Sequence, residues 1–316
     1  MCKLSIIIVS FNTERILKDC LNAIYPITAD GKAEIIVVDN NSSDSSIEMI
    51  GSFFSKIRII RNKENLGFGH ANNIGMAAAK GGYFLLLNSD TVASVEAIAD
   101  SLNYLEDHPK VGLMGCRLNS PNCKIQLSSG RFFNLWNAIF GGIELNRFLE
   151  SAFKIRITFL EHYLTLEQHM ITQEVDWVAG AFMLLRSRVF RETGGFDKNI
   201  FFYGEEEEWC FRIRKNGWKI VFYADTQIIH IGKASISDET KSKINKIMFS
   251  RKAYFFNKHY GRLWVFAFKN LLFLGAILKL PFCFIFFVLS GFRQKMRSKV
   301  KFQLDTINWY FSQLLY

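Results

Sequence analysis

Four consecutive glutamates, Glu205–Glu208, form the densest group of acidic side chains in the sequence. Neighbouring carboxylates raise one another's pKa, and a carboxylate that titrates nearer neutrality is suited to act as a general base. Acidic residues also stabilise the first turn of a helix, where the helix dipole is positive. Both interpretations can hold together, because a helix that opens at Glu205 and Glu206 can direct side chains into a pocket.

Asp90 closes the polar triplet Asn88-Ser89-Asp90, which directly follows the apolar run Tyr83–Leu87. A carboxylate at a strand end is well placed to bind a hard divalent cation, and such a cation can bridge the oxygens of a diphosphate. The alternative is that Asp90 caps a helix that begins after Thr91.

Three further places carry polar groups that could take part in a site. Asp39 follows an apolar run and can accept hydrogen bonds from a base or ribose, or form an Asx turn with Asn40–Ser42. The glycines of the loop Asn65–Asn73 let its backbone approach a ligand closely, and its asparagines supply amide donors and acceptors. His230 stands in an apolar run, where a histidine is commonly a hydrogen-bonded core residue.

The elements that must position these residues alternate along the first third of the chain. Amphipathic helical patterns separate apolar strand-like runs at Leu4–Val9, Glu34–Val38, Ile57–Ile60, Tyr83–Leu87 and Val111–Met114. This alternation predicts an α/β fold with a mostly parallel sheet covered on both faces. Ligands of such sheets bind at the carboxyl ends of the strands, where Ser10–Asn12, Asp39–Asn41 and Asn88–Asp90 lie.

Composition narrows the class of partner. The chain has 316 residues, 49% of them hydrophobic, enough for one or two domains, and a formal net charge of +10. Such a charge points to an anionic partner: nucleic acid, acidic lipid or a phosphorylated substrate. We expect no nucleic acid, because the densest basic run follows an apolar segment and no nucleic-acid-binding motif is present. The six scattered cysteines indicate reduced thiols in a cytoplasmic protein.

The last part of the chain changes character. Phe, Leu and Ile dominate from Leu263 to Phe292, and basic residues alternate from Arg293 to Lys301. Charged residues and Pro281 interrupt the apolar run before the ~18 residues of a spanning helix are reached. We therefore predict two amphipathic or re-entrant helices in the membrane interface, with the basic run on anionic lipid. A buried helical cap, a dimer interface and a span over 270–292 are the alternatives.

Considered together, the motifs resemble those of the family 2 glycosyltransferases of the GT-A fold, and among them the rhamnosyltransferase-like enzymes that build bacterial surface polysaccharides. The matching segments follow in family order over about residues 3–235: Ser5–Asn12, Val37–Asp44, Asn65–Gly69, Leu87–Asp90, Trp177–Ala181 and Tyr203–Glu206, with His230 beyond. The resemblance implies a Rossmann-like, mostly parallel nucleotide-diphospho-sugar transferase sheet with a C-terminal helical region that associates with membranes.

The resemblance also implies roles for individual residues. The donor nucleotide sugar would be held by Ser10, Asn12, Asp39, Asn41, Asn65, Gly67, Asn72, Asn88 and Asp90, and the acceptor by Trp177, Gly180 and Ala181. Asp90 and His230 would bind Mg2+ or Mn2+. Asn88 replaces the first aspartate of the family's D-x-D signature, which leaves the metal site with one carboxylate fewer. The catalytic base would be Glu205 or Glu206, and we favour Glu206.

These roles predict an inverting glycosyltransferase, a hexosyltransferase of the EC 2.4 class. It would transfer a sugar from a dTDP-, UDP- or GDP-sugar, with dTDP-rhamnose preferred, to a polyprenyl-diphosphate-linked saccharide or polysaccharide in O-antigen or capsule-type synthesis. Residues 1–250 would form the transferase domain, with a donor half at about 1–118 and an acceptor half at about 119–250 that includes a variable insertion. Residues 251–316 would hold the protein on the cytoplasmic side of the inner membrane, as a peripheral or monotopic protein. The alternative is a catalytically silent sugar-nucleotide-binding scaffold.

Overall fold

A computed structural model describes residues 2–140, 162–232 and 238–313. The chain forms two compact units: one contains Met1–Phe132 and Tyr163–Gly232, and the other contains Phe133–His162 and Lys233–Tyr316. The centre of the predicted insertion, residues 141–161, lies outside the described residues.

The first unit opens with the predicted alternation of strands and helices. Its first four strands are β1 (Leu4–Ser10), β2 (Ala33–Asp39), β3 (Arg58–Arg61) and β4 (Tyr83–Asn88). Its first four helices are α1 (Glu14–Ile24), α2 (Ser46–Phe53), α3 (Phe68–Ala78) and α4 (Val95–Asp107). The side chains of β1 alternate between two hydrophobic clusters: Ile6 and Ile8 face one cluster and Ile7 faces the other. The sheet is therefore buried on both faces, as its unbroken apolar runs predict.

The register of these strands brings their polar ends together. β1 pairs in parallel with both β2 and β4, so that Ser10 lies beside Asp39 and Val9 lies beside Asn88. Strands β2 and β3 are also parallel. The carboxyl ends of neighbouring parallel strands meet at one edge of a sheet, which is where a ligand is expected.

The second part of this unit extends the sheet with strands of mixed direction. The further strands are β5 (Thr91–Val92), β6 (Val111–Asn119), β7 (Ile125–Gln126), β8 (Ser129–Gly130), β9 (Gln173–Glu174), β10 (Trp177–Val178), β11 (Phe182–Arg186) and β12 (Lys219–His230). Of these, β8 and β10 pair with each other in a separate two-stranded sheet. Helices α6 (Ser187–Thr193) and α7 (Glu205–Lys215) complete the unit. Within the described residues the main sheet follows the order β3-β2-β1-β4-β11-β6-β12-β5, with β7 on β6 and β9 on β12.

Strand β12 differs from the prediction. The sequence predicted separate strands at Trp218–Tyr223 and Ile228–Ile231, but one strand runs through to His230. Its pairing with β6 is irregular between Tyr223 and Gln227. A bulge of this kind adds residues and bends a strand without ending it, so the apolar alternation breaks while the strand continues.

The second unit is helical in the described residues. Helices α5 (Leu135–Phe140), α8 (Asp238–Tyr260), α9 (Arg262–Leu289) and α10 (Gln294–Ser312) surround a small core of apolar side chains that includes Phe249, Phe256, Phe268, Leu272 and Trp309. Gly275 lets α9 approach α5, since a Cβ at this position would come within 2.8 Å of the carbonyl oxygen of Ala138.

The prediction of two helices between Leu263 and Phe292 is wrong in number, because α9 continues through Pro281. A proline inside a helix removes one backbone donor and favours a kink. The buried stripe of α9, which includes Phe268, Leu272 and Ala276, packs within this unit and supports the helix ahead of Pro281.

Candidate active site

Asp90 and His230 face each other at the carboxyl edge of the sheet. Oδ1 of Asp90 lies 3.4 Å from Nε2 of His230, and both side chains remain partly exposed. The backbone joins them as well: Thr91 pairs with His230, and the N–H of Ile231 donates to the carbonyl of Asp90 at 2.8 Å. Two residues far apart in sequence thus form one site.

The alternatives for these two residues do not match the structure. Asp90 does not cap a helix, because Thr91 and Val92 form β5 and the next helix is capped by Ser94, whose side chain accepts from the N–H of Ala97. His230 is not a core histidine, since its ring is partly exposed beside Asp90.

The charge of Asp90 depends on His230. Burial by itself raises the pKa of Asp90, but the hydrogen bond from His230 and, when that ring is protonated, its positive charge lower it, and backbone N–H groups lower it further. The net pKa of Asp90 is below its ordinary value, so its carboxylate is charged at neutral pH and available to a cation.

Glu206 lies at the start of α7, with its side chain directed at the loop before β11. Its Oε1 accepts a hydrogen bond from the backbone N–H of Gly180 at 3.2 Å. Burial raises the pKa of the Glu206 carboxyl, and the charge of Glu207 raises it further, while the backbone N–H groups of Glu206 and Gly180 lower it in part. The net pKa is above the ordinary value of a glutamate, which suits a general base.

The other glutamates of the run have different surroundings. Glu208 is fully buried, and its carboxylate makes an ion pair with Arg212, at 2.8 Å from Nη2. Arg212 also donates to the carbonyls of Thr193 and Gly195, so this ion pair connects α7 to the turn that follows α6. Glu205 is buried, with 2% of its surface exposed, whereas Glu206 is partly exposed. A helix of 3.6 residues per turn places Glu205 and Glu208 on one inward face, and Glu206 off it.

Gly180 has no room for a side chain. A Cβ at this position would lie 2.9 Å from Oε1 of Glu206 and 2.8 Å from the ring of Phe68. The next residue, Ala181, is buried, and its carbonyl accepts from the N–H of Asn88 at 3.2 Å. Two hydrogen bonds on adjacent residues therefore connect Glu206 to Asn88, two residues before Asp90. Trp177, the third predicted acceptor residue, is buried and donates through Nε1 to the carbonyl of Arg131.

Hydrogen bonds connect the loop after β1 to the loop after β2. Asn12, at φ 53°, accepts at Oδ1 from the N–H of Ser43 at 2.7 Å. Asp39 is 3% exposed, and the N–H of Ser42 points at its carboxylate at 3.3 Å, so the Asx turn forms. Ser10 exchanges a hydrogen bond of 2.9 Å with Thr13. Asn41, at φ 68°, is exposed at the rim.

The predicted donor loop has a defined shape. Gly67 has φ +80°, and a Cβ there would lie 2.4 Å from the carbonyl oxygen of Phe201. Asn65 accepts from the N–H of Gly67 at 2.9 Å and is exposed. Asn72 is buried, and its amide donates to the carbonyl of Phe68 one helical turn earlier.

Asn40 and Asp44 have positioning contacts that the sequence patterns did not single out. The buried amide of Asn40 accepts from Asn62 at 2.8 Å and donates to Asn65 and to the carbonyl of Gly67, both at 3.2 Å. Asp44 accepts from the N–H of Glu14 at 3.0 Å and from the hydroxyl of Ser46 at 2.6 Å. Both lie in the motif Val37–Asp44, and their place in that motif was the sequence signal that could have identified them.

The residues around Asp90 fit a divalent cation. Metal–ligand bonds of about 2.1 Å are longer than half of the 3.4 Å between Oδ1 of Asp90 and Nε2 of His230, so one ion can touch both. Within the described parts of the chain no group of three or more His, Cys, Asp or Glu side chains converges on a metal-sized site. Magnesium in particular is commonly held by one or two carboxylates and completed by substrate phosphates and water.

Comparisons with known proteins point to one family. The sequence model of the family described as glycosyl transferase family 2 matches residues 5–194 of this chain. An N-acetylglucosaminyl-diphospho-decaprenol L-rhamnosyltransferase of Mycobacterium tuberculosis is 23% identical over 215 residues, 65% of this chain and 68% of that protein. Rhamnosyltransferase WbbL of Escherichia coli K12 is 27% identical over 232 residues, 71% of this chain and 82% of that protein.

A solved structure shares the fold. The mannosyltransferase PcManGT from Pyrobaculum calidifontis, determined in complex with GDP-Man and Mn2+, superposes with a TM-score of 0.63. The similarity covers 99% of this chain and 87% of that chain at 13% sequence identity. Staphylococcus aureus TarS 1-349 with UDP-GlcNAc gives a TM-score of 0.51 at 15% identity, over 98% and 81% of the two chains.

Proposed function

Because this chain belongs to glycosyl transferase family 2 and is a glycosyltransferase, we propose that it is a metal-dependent, inverting rhamnosyltransferase. The donor is dTDP-rhamnose, and the acceptor is a saccharide on a polyprenyl diphosphate. The product belongs to bacterial surface glycan synthesis of the O-antigen or capsule type. The predicted family and the predicted GT-A fold are confirmed by the family match and the structural similarity.

One observation carries the catalytic part of the proposal. A carboxylate with a raised pKa, Glu206, is linked through Gly180 and Ala181 to Asn88 at the end of β4, two residues before Asp90, and Asp90 faces His230 at the end of β12. A proton acceptor and a pair of cation ligands thus share one edge of the sheet, the edge at which nucleotides bind in folds of this kind.

The reaction is a single in-line displacement. Glu206 accepts the proton of an acceptor hydroxyl while that oxygen forms a bond to the anomeric carbon. The bond from the anomeric carbon to the diphosphate breaks at the same time, and the electron pair leaves with the nucleoside diphosphate. One displacement inverts the configuration at the anomeric carbon.

Asp90 and His230 would hold the Mg2+ or Mn2+ ion. A bound divalent cation offsets the negative charge that grows on a departing diphosphate. The lowered pKa of Asp90 keeps its carboxylate charged over the working pH range, and the exposed parts of both side chains leave room for phosphate oxygens.

The rhamnose donor and the lipid-linked acceptor are supported by two relatives. Both are named rhamnosyltransferases, and the name of one includes an N-acetylglucosaminyl-diphospho-decaprenol acceptor.

The second unit supports a membrane-bound acceptor. Among the described residues one helix, α9, is long and apolar enough to cross a bilayer, with a mean hydropathy of 2.5 over its most apolar window. A buried helix of a soluble protein can have the same composition, but α9 exposes large side chains: Leu263, Phe266, Phe282, Phe286 and Leu289 are 57–78% exposed. We assign this surface to the membrane interface, with the basic residues of α10 on anionic headgroups.

A donor screen with the purified protein tests the proposal. The protein is incubated with Mn2+, a polyprenyl-diphosphate-linked N-acetylglucosamine acceptor and each of dTDP-rhamnose, UDP-GlcNAc and GDP-mannose, and the transferred sugar is read by mass spectrometry. We expect transfer from dTDP-rhamnose that stops with EDTA and resumes with excess Mn2+. Transfer that persists in EDTA would show that the reaction needs no metal. Transfer from another donor only would show that dTDP-rhamnose is not the donor. Donor binding without release of nucleoside diphosphate would favour the silent scaffold.

A further inference from the structure

Gln126 holds His230 by two hydrogen bonds. Its Oε1 lies 2.7 Å from Nδ1 of the His230 ring, and its Nε2 lies 2.8 Å from the backbone carbonyl oxygen of the same residue. A single amide therefore contacts both the side chain and the main chain of one histidine.

The sheet delivers Gln126 to this position. Leu118 on β6 pairs with Ile228 of β12 on one side and with Gln126 of β7 on the other. β6 ends at Asn119, so the side chain of Gln126 can reach His230 past the end of the strand. The two residues are 104 positions apart in sequence, and only this strand pairing joins them.

The two hydrogen bonds determine the tautomer of the ring. The backbone carbonyl of His230 can only accept, so the Gln126 atom that faces it must be the amide nitrogen. The amide oxygen then faces Nδ1, and since an oxygen of this kind can only accept, Nδ1 must carry the hydrogen. In the neutral imidazole this leaves Nε2 with a lone pair, and Nε2 is the atom that faces Asp90 at 3.4 Å.

We infer that Gln126 is a positioning residue of the transferase: it fixes the Nδ1–H tautomer of His230 and directs the Nε2 lone pair toward Asp90. Two electron-rich atoms that face each other repel unless a proton or a cation lies between them. A histidine that ligates a metal usually donates its other ring N–H to an oxygen, which sets the ring orientation, and loss of such a partner typically weakens metal binding about 10- to 100-fold. Gln126 supplies that oxygen here.

The first test reads the tautomer in metal-free protein, so it does not depend on the proposed function. The chain is labelled with 15N-histidine, and the ring nitrogens of the six histidines are recorded by long-range NMR correlation, with His230→Ala to assign the signals. At a pH at which the ring is neutral, wild type should show His230 with a protonated Nδ1 and an unprotonated Nε2. In Gln126→Ala the His230 signals should move toward the Nε2–H form, which ordinary solvated histidines prefer.

Gln126→Glu serves as the matched variant. Its carboxylate still accepts from Nδ1 but cannot donate to the carbonyl of His230, so the tautomer should remain that of wild type. If Gln126→Ala proves too unstable to measure, the wild-type spectrum alone decides the tautomer. A wild-type His230 in the Nε2–H form would overturn the inference, and so would an unchanged His230 spectrum in folded Gln126→Ala.

The second readout is the affinity for Mn2+ in the presence of thymidine diphosphate, measured by electron paramagnetic resonance without any acceptor. Gln126→Ala should bind Mn2+ about 10-fold more weakly or worse, and Gln126→Glu should recover most of that loss. This readout rests on the proposed metal role of His230. If His230→Ala leaves Mn2+ binding unchanged, the metal assignment fails while the tautomer result stands. If His230→Ala weakens binding and Gln126→Ala does not, the role of Gln126 fails.

Discussion

Replacing Gly180 by alanine should displace the carboxylate of Glu206, the proposed proton acceptor, while the chemistry of that carboxylate stays unaltered. The new methyl group would lie 2.9 Å from Oε1 of Glu206 and 2.8 Å from Cε1 and Cζ of Phe68, whereas ordinary contacts of this kind begin at 3.4 Å. Both contacts have to be relieved, so the carboxylate has to move by at least about 0.5 Å and the ring by at least about 0.6 Å.

The carboxylate should move more readily than the ring. The ring of Phe68 packs edge-on against Phe196, with ring centroids 5.7 Å apart. Glu206 ends in a flexible, partly exposed side chain that is held at Gly180 by a hydrogen bond of 3.2 Å. A misplacement of about 1 Å can cost about 100-fold in rate, so a shift of about half that size should lower kcat about 10-fold. Overpacking should cost about 1–3 kcal/mol of unfolding free energy.

Steady-state kinetics and chemical denaturation measure the two effects separately. The matched control is Gly51→Ala in α2, where a Cβ meets nothing within 4 Å. Alanine favours a helix interior over glycine by about 0.5–1 kcal/mol, so the control should gain stability and keep wild-type kcat. The acid limb of kcat should also move to higher pH in Gly180→Ala, because the Gly180 N–H lowers the pKa of Glu206 and the displacement weakens that hydrogen bond.

Two results would refute this reasoning. If Gly180→Ala loses stability but keeps the wild-type kcat and pH profile, the carboxylate beside Gly180 is not the proton acceptor. If only the KM for the donor rises, Gly180 acts in donor binding, and its contact with Glu206 has no part in the chemical step.

Four further outcomes are expected. Glu206→Gln should lower kcat about 100- to 10,000-fold, while the donor Kd measured by calorimetry should not change. The control Glu96→Gln, at an exposed position, should keep full activity. Turnover near the wild-type level in Glu206→Gln would show that another residue is the base. Because the pKa of Glu206 is raised in the folded state, the stability of the wild type falls as the pH rises from the pKa of the unfolded state through that of the folded state. Urea titration should therefore show Glu206→Gln to be more stable than wild type at pH 8, with a smaller difference near pH 4. Glu207→Gln should move the acid limb of kcat to lower pH, since the charge of Glu207 raises the pKa of Glu206; an unmoved limb would contradict that coupling. The triple substitution Phe282→Ser, Phe286→Ser and Leu289→Ser should reduce flotation with anionic vesicles at least about 10-fold, while Phe53→Ser on α2 should float like wild type; equal flotation of both would place the membrane surface elsewhere.

Local patterns in the sequence were sufficient for the family and for the strand–helix alternation of the predicted donor half. Unbroken apolar runs such as Ile6–Val9 can be buried only on both faces of a sheet, and polar residues at their ends then have to meet at one edge. The tail shows the limit of this kind of reasoning. Pro281 and two lysines predicted two helices, yet packing against neighbouring helices supports one.

The roles within the acidic run could not be assigned from composition. Four identical side chains differ only in the direction that α7 gives them: Glu208 faces Arg212 in the interior, and Glu206 faces Gly180. Burial and partner, rather than residue type, set the pKa of a carboxyl group.

By itself, the sequence determined the order of the strands along the chain, their burial and the types of residue at their ends, because hydrophobic periodicity acts over a few residues at a time. Tertiary structure alone decided which ends become neighbours. The contacts of Asp90 with His230 and of His230 with Gln126 depend on strand order and register across the sheet, and no local spacing encodes either of them.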